Sequence, residues 1–197
     1  MKHIVLASAS PRRKELMGLI TKDFEVITSD VDERAIEEMY KHEGARNVAL
    51  NEARAKAEAV WNTLSDELKN TSVVVAADTS VVLGDVIMGK PKDREDAVNM
   101  LTNLSGNVHS VVTGVWVLDK NFSDGFYEES FVHFADYDEY QKNLIESYVD
   151  SGDPFDKAGA YGIQNGGALL VKKVDGDYFN VVGLPVMKLA RMLSKLV

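Results

Sequence analysis

The stretch Ile4-Val5-Leu6-Ala7-Ser8-Ala9-Ser10-Pro11-Arg12-Arg13-Lys14 sets the architecture of the chain. A short apolar run breaks at two serines and a proline, and a helical rhythm resumes at Leu16, Leu19 and Ile20. This reads as strand, tight turn, helix. Ser10 suits the N-cap and Pro11 the first helical position, so the helix starts here with its open amides facing the turn. Three cations, Arg12, Arg13 and Lys14, then crowd the first turn. The helix dipole disfavours cations there by about 0.3 to 1 kcal/mol each, so an anion is expected to offset them. A phosphate would satisfy the amides, the Ser8 and Ser10 hydroxyls and the two guanidinium groups together. The alternative is an ordinary capped helix with solvated arginines.

Working outward, residues 24–27 read as a second strand that runs into a polar turn at 28–33. Residues 47–64 space Leu50, Ala53, Ala57, Val60, Trp61 and Leu64 as an amphipathic helix. Residues 73–77 and 81–83 form one apolar strand interrupted by Asp78-Thr79-Ser80, and Gly84-Asp85 turns it into a hairpin with residues 86–88. A helix over 91–104, strands over 108–118 and 127–135, a helix over 138–149, a glycine-rich stretch over 152–167, a strand over 169–174 and a last helix from Pro185 to Leu196 complete the pattern. Strands and helices alternate throughout, so the fold class is mixed α/β, and residues 1–197 are taken as a single domain.

With 197 residues, 45% of them hydrophobic, the chain has enough apolar material for a buried core. It contains no cysteine, which excludes disulfides, zinc thiolates and a cysteine nucleophile and is compatible with a cytoplasmic location. No apolar run approaches the roughly 18 residues of a membrane span, and the first residues do not read as a signal peptide. The formal net charge is -9. Eleven acids and two bases fall between Asp119 and Asp156, while the rest of the chain carries twenty of each sign. An acidic protein with a local basic cluster at a helix start suits a small anionic ligand and argues against nucleic-acid binding.

Asp78 is the second strong signal. A carboxylate inside an apolar strand must engage a cation or metal, or else be a structural aspartate bonded to backbone amides. Thr79 and Ser80 beside it either orient a ligand or satisfy the strand. Glu33, in Asp30-Val31-Asp32-Glu33, could join Asp78 around a hard divalent cation, although alone it reads as part of a solvated turn. Lys56 flanks the apolar stripe of its helix and reaches either a cleft or water. Gly89-Lys90-Pro91 places a cation in a turn, without the pattern of a P-loop, and a solvated lysine is the simpler reading. The four histidines, His3, His42, His109 and His133, show no metal-ligand spacing. In Asp156-Lys157-Ala158-Gly159-Ala160-Tyr161-Gly162-Ile163-Gln164, small residues allow close backbone approach to a ligand, and the Gln164 amide could read a base edge by donating and accepting. Otherwise it is a loop tying two strands.

Taken in order, Ser8-Ala9-Ser10-Pro11-Arg12-Arg13, Ala76-Ala77-Asp78-Thr79, Gly89-Lys90-Pro91, Ser105-Gly106 with His109 and Thr113-Gly114, Asp156-Lys157-Ala158-Gly159 and Gly183-Leu184-Pro185 closely resemble the Maf family of nucleotide pyrophosphatases. The match covers nearly the whole chain. The resemblance implies an elongated mixed sheet flanked by helices, like that of inosine triphosphate pyrophosphatase, with two lobes around a cleft. It implies hydrolysis of a nucleoside triphosphate to the monophosphate and pyrophosphate, assisted by Mg²⁺ or Mn²⁺, in a homodimeric cytoplasmic enzyme. By the same resemblance Asp78 is the proton acceptor, Ser8, Arg12, Arg13, Lys56 and Lys90 line the phosphate site, and Glu33 belongs with Asp78 to the metal site. Arg12, Thr79 and Gln164 match the set of relatives that act on dTTP and UTP, whereas relatives acting on 7-methylated GTP carry an aromatic residue and a glutamate at the first and last of these positions. The rival function is a non-catalytic nucleotide-binding regulator of septum formation.

Overall fold

The computed structural model describes residues 2–196. Seven strands form one mixed sheet: β1 (His3–Ala7), β2 (Phe24–Val26), β3 (Ser72–Leu83), β4 (Val86–Met88), β5 (Val108–Leu118), β6 (Ser123–Phe134) and β7 (Val171–Asp175). Their order is β2-β1-β3-β5-β6-β7, with β4 paired to β3. β1 runs parallel to both β2 and β3, with Val5 opposite Glu25 and Val74. Parallel strands are covered on both faces, which is why β1 and the first half of β3 read as unbroken apolar runs. The expected mixed α/β sheet flanked by helices is what the chain forms.

The chain divides into two compact units. The first comprises residues up to Thr79, residues 113–128 and residues 183–197. It holds the helices α1 (Pro11–Ile20), α2 (Glu33–Tyr40), α3 (Ala45–Thr63) and α4 (Asp66–Thr71). Its core joins Val5, Ala7, Val74 and Ala76 of the strands to Ala57 and Val60 of α3, Leu64 and Leu118. Gly114 on β5 sets how closely α3 lies on the sheet. A Cβ at this position would fall 2.4 Å from the carbonyl carbon and oxygen of Ala49 and 2.5 Å from the amide of Leu50. Only glycine permits that approach.

The second unit comprises residues 80–112 and 129–182. In it α5 (Arg94–Leu104) packs on α6 (Glu139–Asp150), burying Leu101, Leu104, Ile145 and Val149. Asp93 caps α5 and Asp138 caps α6, each accepting from the amide three residues on. The glycine-rich stretch forms short 3₁₀ turns at Asp153–Asp156, Ala158–Ala160 and Asn165–Leu170. A short α7 (Tyr178–Val182) follows β7, and the chain closes in the first unit with α8 (Val186–Leu193), which packs against α1.

Several local expectations are corrected. Residues 28–33 do not end in a simple turn, because Asp32 accepts from the Ala35 amide at 3.1 Å and starts α2 at Glu33. That helix buries none of its residues, although Ala35, Ile36, Met39 and Tyr40 share one face over its eight residues. The six-residue α4 likewise buries none. Strand β3 is continuous through Asp78-Thr79-Ser80, whose polar side chains leave the backbone ladder intact. β6 begins at Ser123 rather than near Tyr127, so Gly125 lies within the strand. A Cβ on it would meet the Trp116 ring at 2.4 Å. β7 starts at Val171 because the residues before it are wound into a 3₁₀ turn.

Candidate active site

In the first unit, β1 delivers Ser8 to the turn before α1. Ser8 is buried, and its hydroxyl accepts from the Ser10 amide at 3.2 Å. Ser10 caps α1 as expected, accepting from the Arg13 amide at 3.4 Å. Its carbonyl takes the Lys14 amide at 3.2 Å, and Pro11 has no amide to offer. The helix start is therefore a weaker source of open amides than its sequence implies, and any anion held there depends on side chains. Arg12 is half-buried at this turn.

Arg13 does something the sequence reading did not assign. Its Nε donates to the Gly183 carbonyl at 2.9 Å and its Nη2 to Thr79 Oγ1 at 3.0 Å. Thr79 Oγ1 in turn lies 2.9 Å from Thr113 Oγ1. The guanidinium thus ties α1, β3 and the turn before α8 into one network. Burial lowers its pKa and Asp78 raises it again, and an arginine in this balance stays charged at neutral pH. A lysine would have to serve both acceptors from a single nitrogen, without the planar fork in which Nε and Nη2 address them separately. Arg13→Lys is expected to cost about 1–3 kcal/mol in urea or thermal unfolding, the penalty for leaving a buried partner unsatisfied. Unchanged stability would contradict this tie.

Asp78 lies at the centre of the charged cluster. Lys56 Nζ donates to Asp78 Oδ1 at 2.6 Å and sits 2.7 Å from Glu33 Oε1. The Lys56 and Asp78 side chains are 10% and 14% exposed, whereas Glu33 is 45% exposed, so the cluster opens to solvent on the α2 side. Burial alone would raise the Asp78 pKa. The Lys56 ammonium, a hydrogen bond from Glu52 and the Arg13 charge outweigh it and hold Asp78 well below the usual carboxylate range. Lys56 is likewise pushed down by burial and pulled up further by Asp78 and Glu33, and it stays an ammonium.

Glu52 is the member of this cluster that sequence reasoning missed. It is 6% exposed on α3, one helical turn before Lys56, and its side chain is hydrogen-bonded to Asp78. Burial, then the Asp78 hydrogen bond and charge, raise its pKa strongly. The sequence does hold a signal. Ala49, Ala53 and Ala57 form a stripe of small residues, all fully buried, which marks the face of α3 that meets the sheet. Glu52 and Lys56 each stand one position before an alanine of that stripe, at its edge.

Lys90 and Gln164 belong to the second unit. Lys90 is exposed in the turn after β4, and Gln164 is half-buried just before the 3₁₀ turn at Asn165–Leu170. The segments carrying them are joined, since the Gly159 amide donates to the Gly89 carbonyl at 3.0 Å. The Gly162 amide donates to the Tyr148 hydroxyl at 3.0 Å, and that hydroxyl donates to Asp153 at 2.6 Å. His109 is buried, with Nε2 2.7 Å from the Tyr161 hydroxyl, and burial lowers its pKa to about 4. It is a neutral, structural histidine at physiological pH.

The ordered blocks, the strand carboxylate and the cationic helix start converge on one family. A profile of the family described as "Maf-like protein" matches residues 3–196, and the chain belongs to that family. It is 43% identical over 196 residues to a dTTP/UTP pyrophosphatase of Geobacillus sp., covering 100% of this chain and 99% of that one. A dTTP/UTP pyrophosphatase of Acetivibrio thermocellus is 46% identical over 195 residues, covering 98% and 95%. Among solved structures, a HAM1 protein from Coxiella burnetii shares the fold with a TM-score of 0.50 at 15% identity, covering 99% of this chain and 100% of that one.

Proposed function

We propose that the chain is a nucleoside triphosphate pyrophosphatase that hydrolyses dTTP and UTP to the monophosphate and pyrophosphate, with Asp78 as the group that receives water's proton. The observation that carries this reading is the ammonium of Lys56 held at 2.6 Å from Asp78 and 2.7 Å from Glu33. A carboxylate kept ionised in this way accepts a hydrogen bond from water and directs the oxygen lone pair away from itself, toward the phosphorus. Its depressed pKa makes it better at orienting water than at taking the proton early. Lys56, Arg12 and Lys90 offset charge on the phosphates, and Ser8 lies at the same turn as Arg12. Phosphoanhydride cleavage asks for positioning and charge neutralisation and little covalent work from the protein.

A divalent cation fits these residues by the chemistry of the donors. Glu33 and Asp78 are hard oxygen ligands already gathered around one positive charge, and Mg²⁺ or Mn²⁺ serving phosphates takes one or two carboxylates and completes its shell with water and substrate oxygens. Among the described residues no set of three or more His, Cys, Asp or Glu side chains is grouped to hold a metal ion. When bound, the ion would supply Lewis-acid polarisation of the phosphoryl oxygens.

For the base, the reading assigns Arg12, Thr79 and Gln164. An amide at residue 164 donates and accepts, as the edge of thymine or uracil requires, whereas a glutamate only accepts. The relatives named above share this specificity over the full length. The enzyme is taken as a cytoplasmic homodimer acting on small nucleotides, without nucleic acid or membrane partners. The test is pyrophosphate release from dTTP, UTP, CTP, GTP and 7-methyl-GTP by the wild type and by Gln164→Glu. We expect dTTP and UTP to be preferred, and that preference to fall by about 10-fold or more in the variant, since a buried hydrogen bond is left unmade. Nucleotide binding with no pyrophosphate from any substrate would instead favour a non-catalytic regulator.

A further inference from the structure

In the second unit, one side chain holds the backbone on both sides of Gln164. Tyr148 is 5% exposed on α6, the helix that packs against the 3₁₀ turns at Asp153–Asp156 and Asn165–Leu170. Its hydroxyl accepts from the Gly162 amide at 3.0 Å, two residues before Gln164, and donates to Asp153 Oδ2 at 2.6 Å. Asp153 Oδ1 lies in turn 3.0 Å from the ammonium of the buried Lys157. On the other side of Gln164, the Tyr148 ring lies so near Gly166 that a Cβ there would stand 3.2 Å from Cδ2. A Cβ on Gly167 would stand 3.1 Å from the hydroxyl oxygen. The phenol thus both accepts and donates, which packing alone does not ask of it. Gln164 makes no side-chain capping bond to the turn it precedes, which leaves its amide to a ligand.

A primary amide suits a uracil edge and, turned over, a cytosine edge as well, because the two edges carry donor and acceptor in opposite order. Preference for uracil therefore depends on the segment that aims the amide. We propose that Tyr148 is a positioning residue for base selection: its hydroxyl and ring hold residues 162–167 so that the Gln164 amide meets a uracil or thymine edge in one direction. The proposal rests on Gln164 being the group that reads the base. Tyr148 acts through that residue and makes no contact of its own with the nucleotide. Recognition built on a loop is only as selective as the packing and hydrogen bonds that support the loop.

The experiment measures pyrophosphate release from UTP and CTP, which differ only at the base edge, and reads the ratio of kcat/KM for the two. The wild type is compared with Tyr148→Phe, Gln164→Ala and the double variant, each checked by thermal melt. Phenylalanine keeps the ring against Gly166 and removes only the hydroxyl. The UTP to CTP ratio should then fall about 3- to 10-fold, the worth of one neutral hydrogen bond, chiefly through a higher KM for UTP. In the Gln164→Ala background, loss of the hydroxyl should leave the ratio unchanged, because its effect passes through residue 164. A purely structural role would lower both substrates alike and keep the wild-type ratio, which would overturn the proposal. So would a ratio that falls further in the double variant than in Gln164→Ala. If Tyr148→Phe does not fold, Asp153→Asn weakens the same tie from its other end and is held to the same outcomes. A wild-type ratio in Gln164→Ala would overturn the reading of Gln164 and the proposal with it. A low ratio in Gln164→Ala beside a wild-type ratio in Tyr148→Phe overturns the role of Tyr148 alone.

Discussion

Asp78→Asn is expected to lower kcat for dTTP by about 10²- to 10⁴-fold with the protein still folded. Asparagine has the same shape, so β3 keeps its ladder and its apolar neighbours Ala76 and Ala77 stay buried. What changes is charge and acceptor strength. The amide cannot take up a proton, and half of its hydrogen-bonding capacity turns from acceptor to donor. Lys56 keeps Glu33 at 2.7 Å as a partner, which limits the loss of stability. Because the proposed phosphate contacts are made by other groups, KM should move far less than kcat, the signature of an interaction made chiefly in the transition state. Turnover equal to wild type, measured on variant protein with an unaltered thermal melt, would remove Asp78 from the chemistry.

Gly114→Ala carries the largest expected effect on stability. The new methyl group would lie 2.4 Å from backbone atoms of Ala49, which cannot rotate away as a flexible side chain would. Either α3 or β5 must shift, and overpacking of this kind costs about 3 kcal/mol or more. For a chain of this size that corresponds to a drop in Tm of about 6 to 12 °C. The shift would also carry Glu52 and Lys56 away from Asp78, so activity should fall at temperatures where the variant is still folded. A melting temperature within about 2 °C of wild type, with full activity, would show that the close approach of helix and strand is not required.

The two substitutions mark what the sequence discloses and what it hides. The start of α1 was legible because its cues are local: an apolar run, a serine cap and a proline at the first position are all satisfied within residues 4–14. Asp78 and Lys56 stood out singly, one by its apolar surroundings and the other by its place beside an apolar stripe, but only the folded chain brings them to 2.6 Å. Glu33 was assigned to the cluster while its helix was missed, since the apolar face formed by Ala35, Ile36, Met39 and Tyr40 spans only eight residues and none of them is buried. Arg13 is expected to face a phosphate, and its Nε and Nη2 also reach Gly183 and Thr79, partners 170 and 66 residues away that no local pattern predicts. Glu52 was passed over for the opposite reason. It lies in a helix rich in charge, where a glutamate reads as solvated, and only its place at the edge of the buried stripe of Ala49, Ala53 and Ala57 hints otherwise.

The most direct test of water directed by Asp78 at the α-phosphorus is hydrolysis of dTTP in ¹⁸O-labelled water, with products resolved by mass. The account predicts dTMP and pyrophosphate in equal amounts, with the label in the dTMP phosphate and none in pyrophosphate. Label in pyrophosphate, or release of orthophosphate with dTDP, would place the attack at another phosphorus and contradict it.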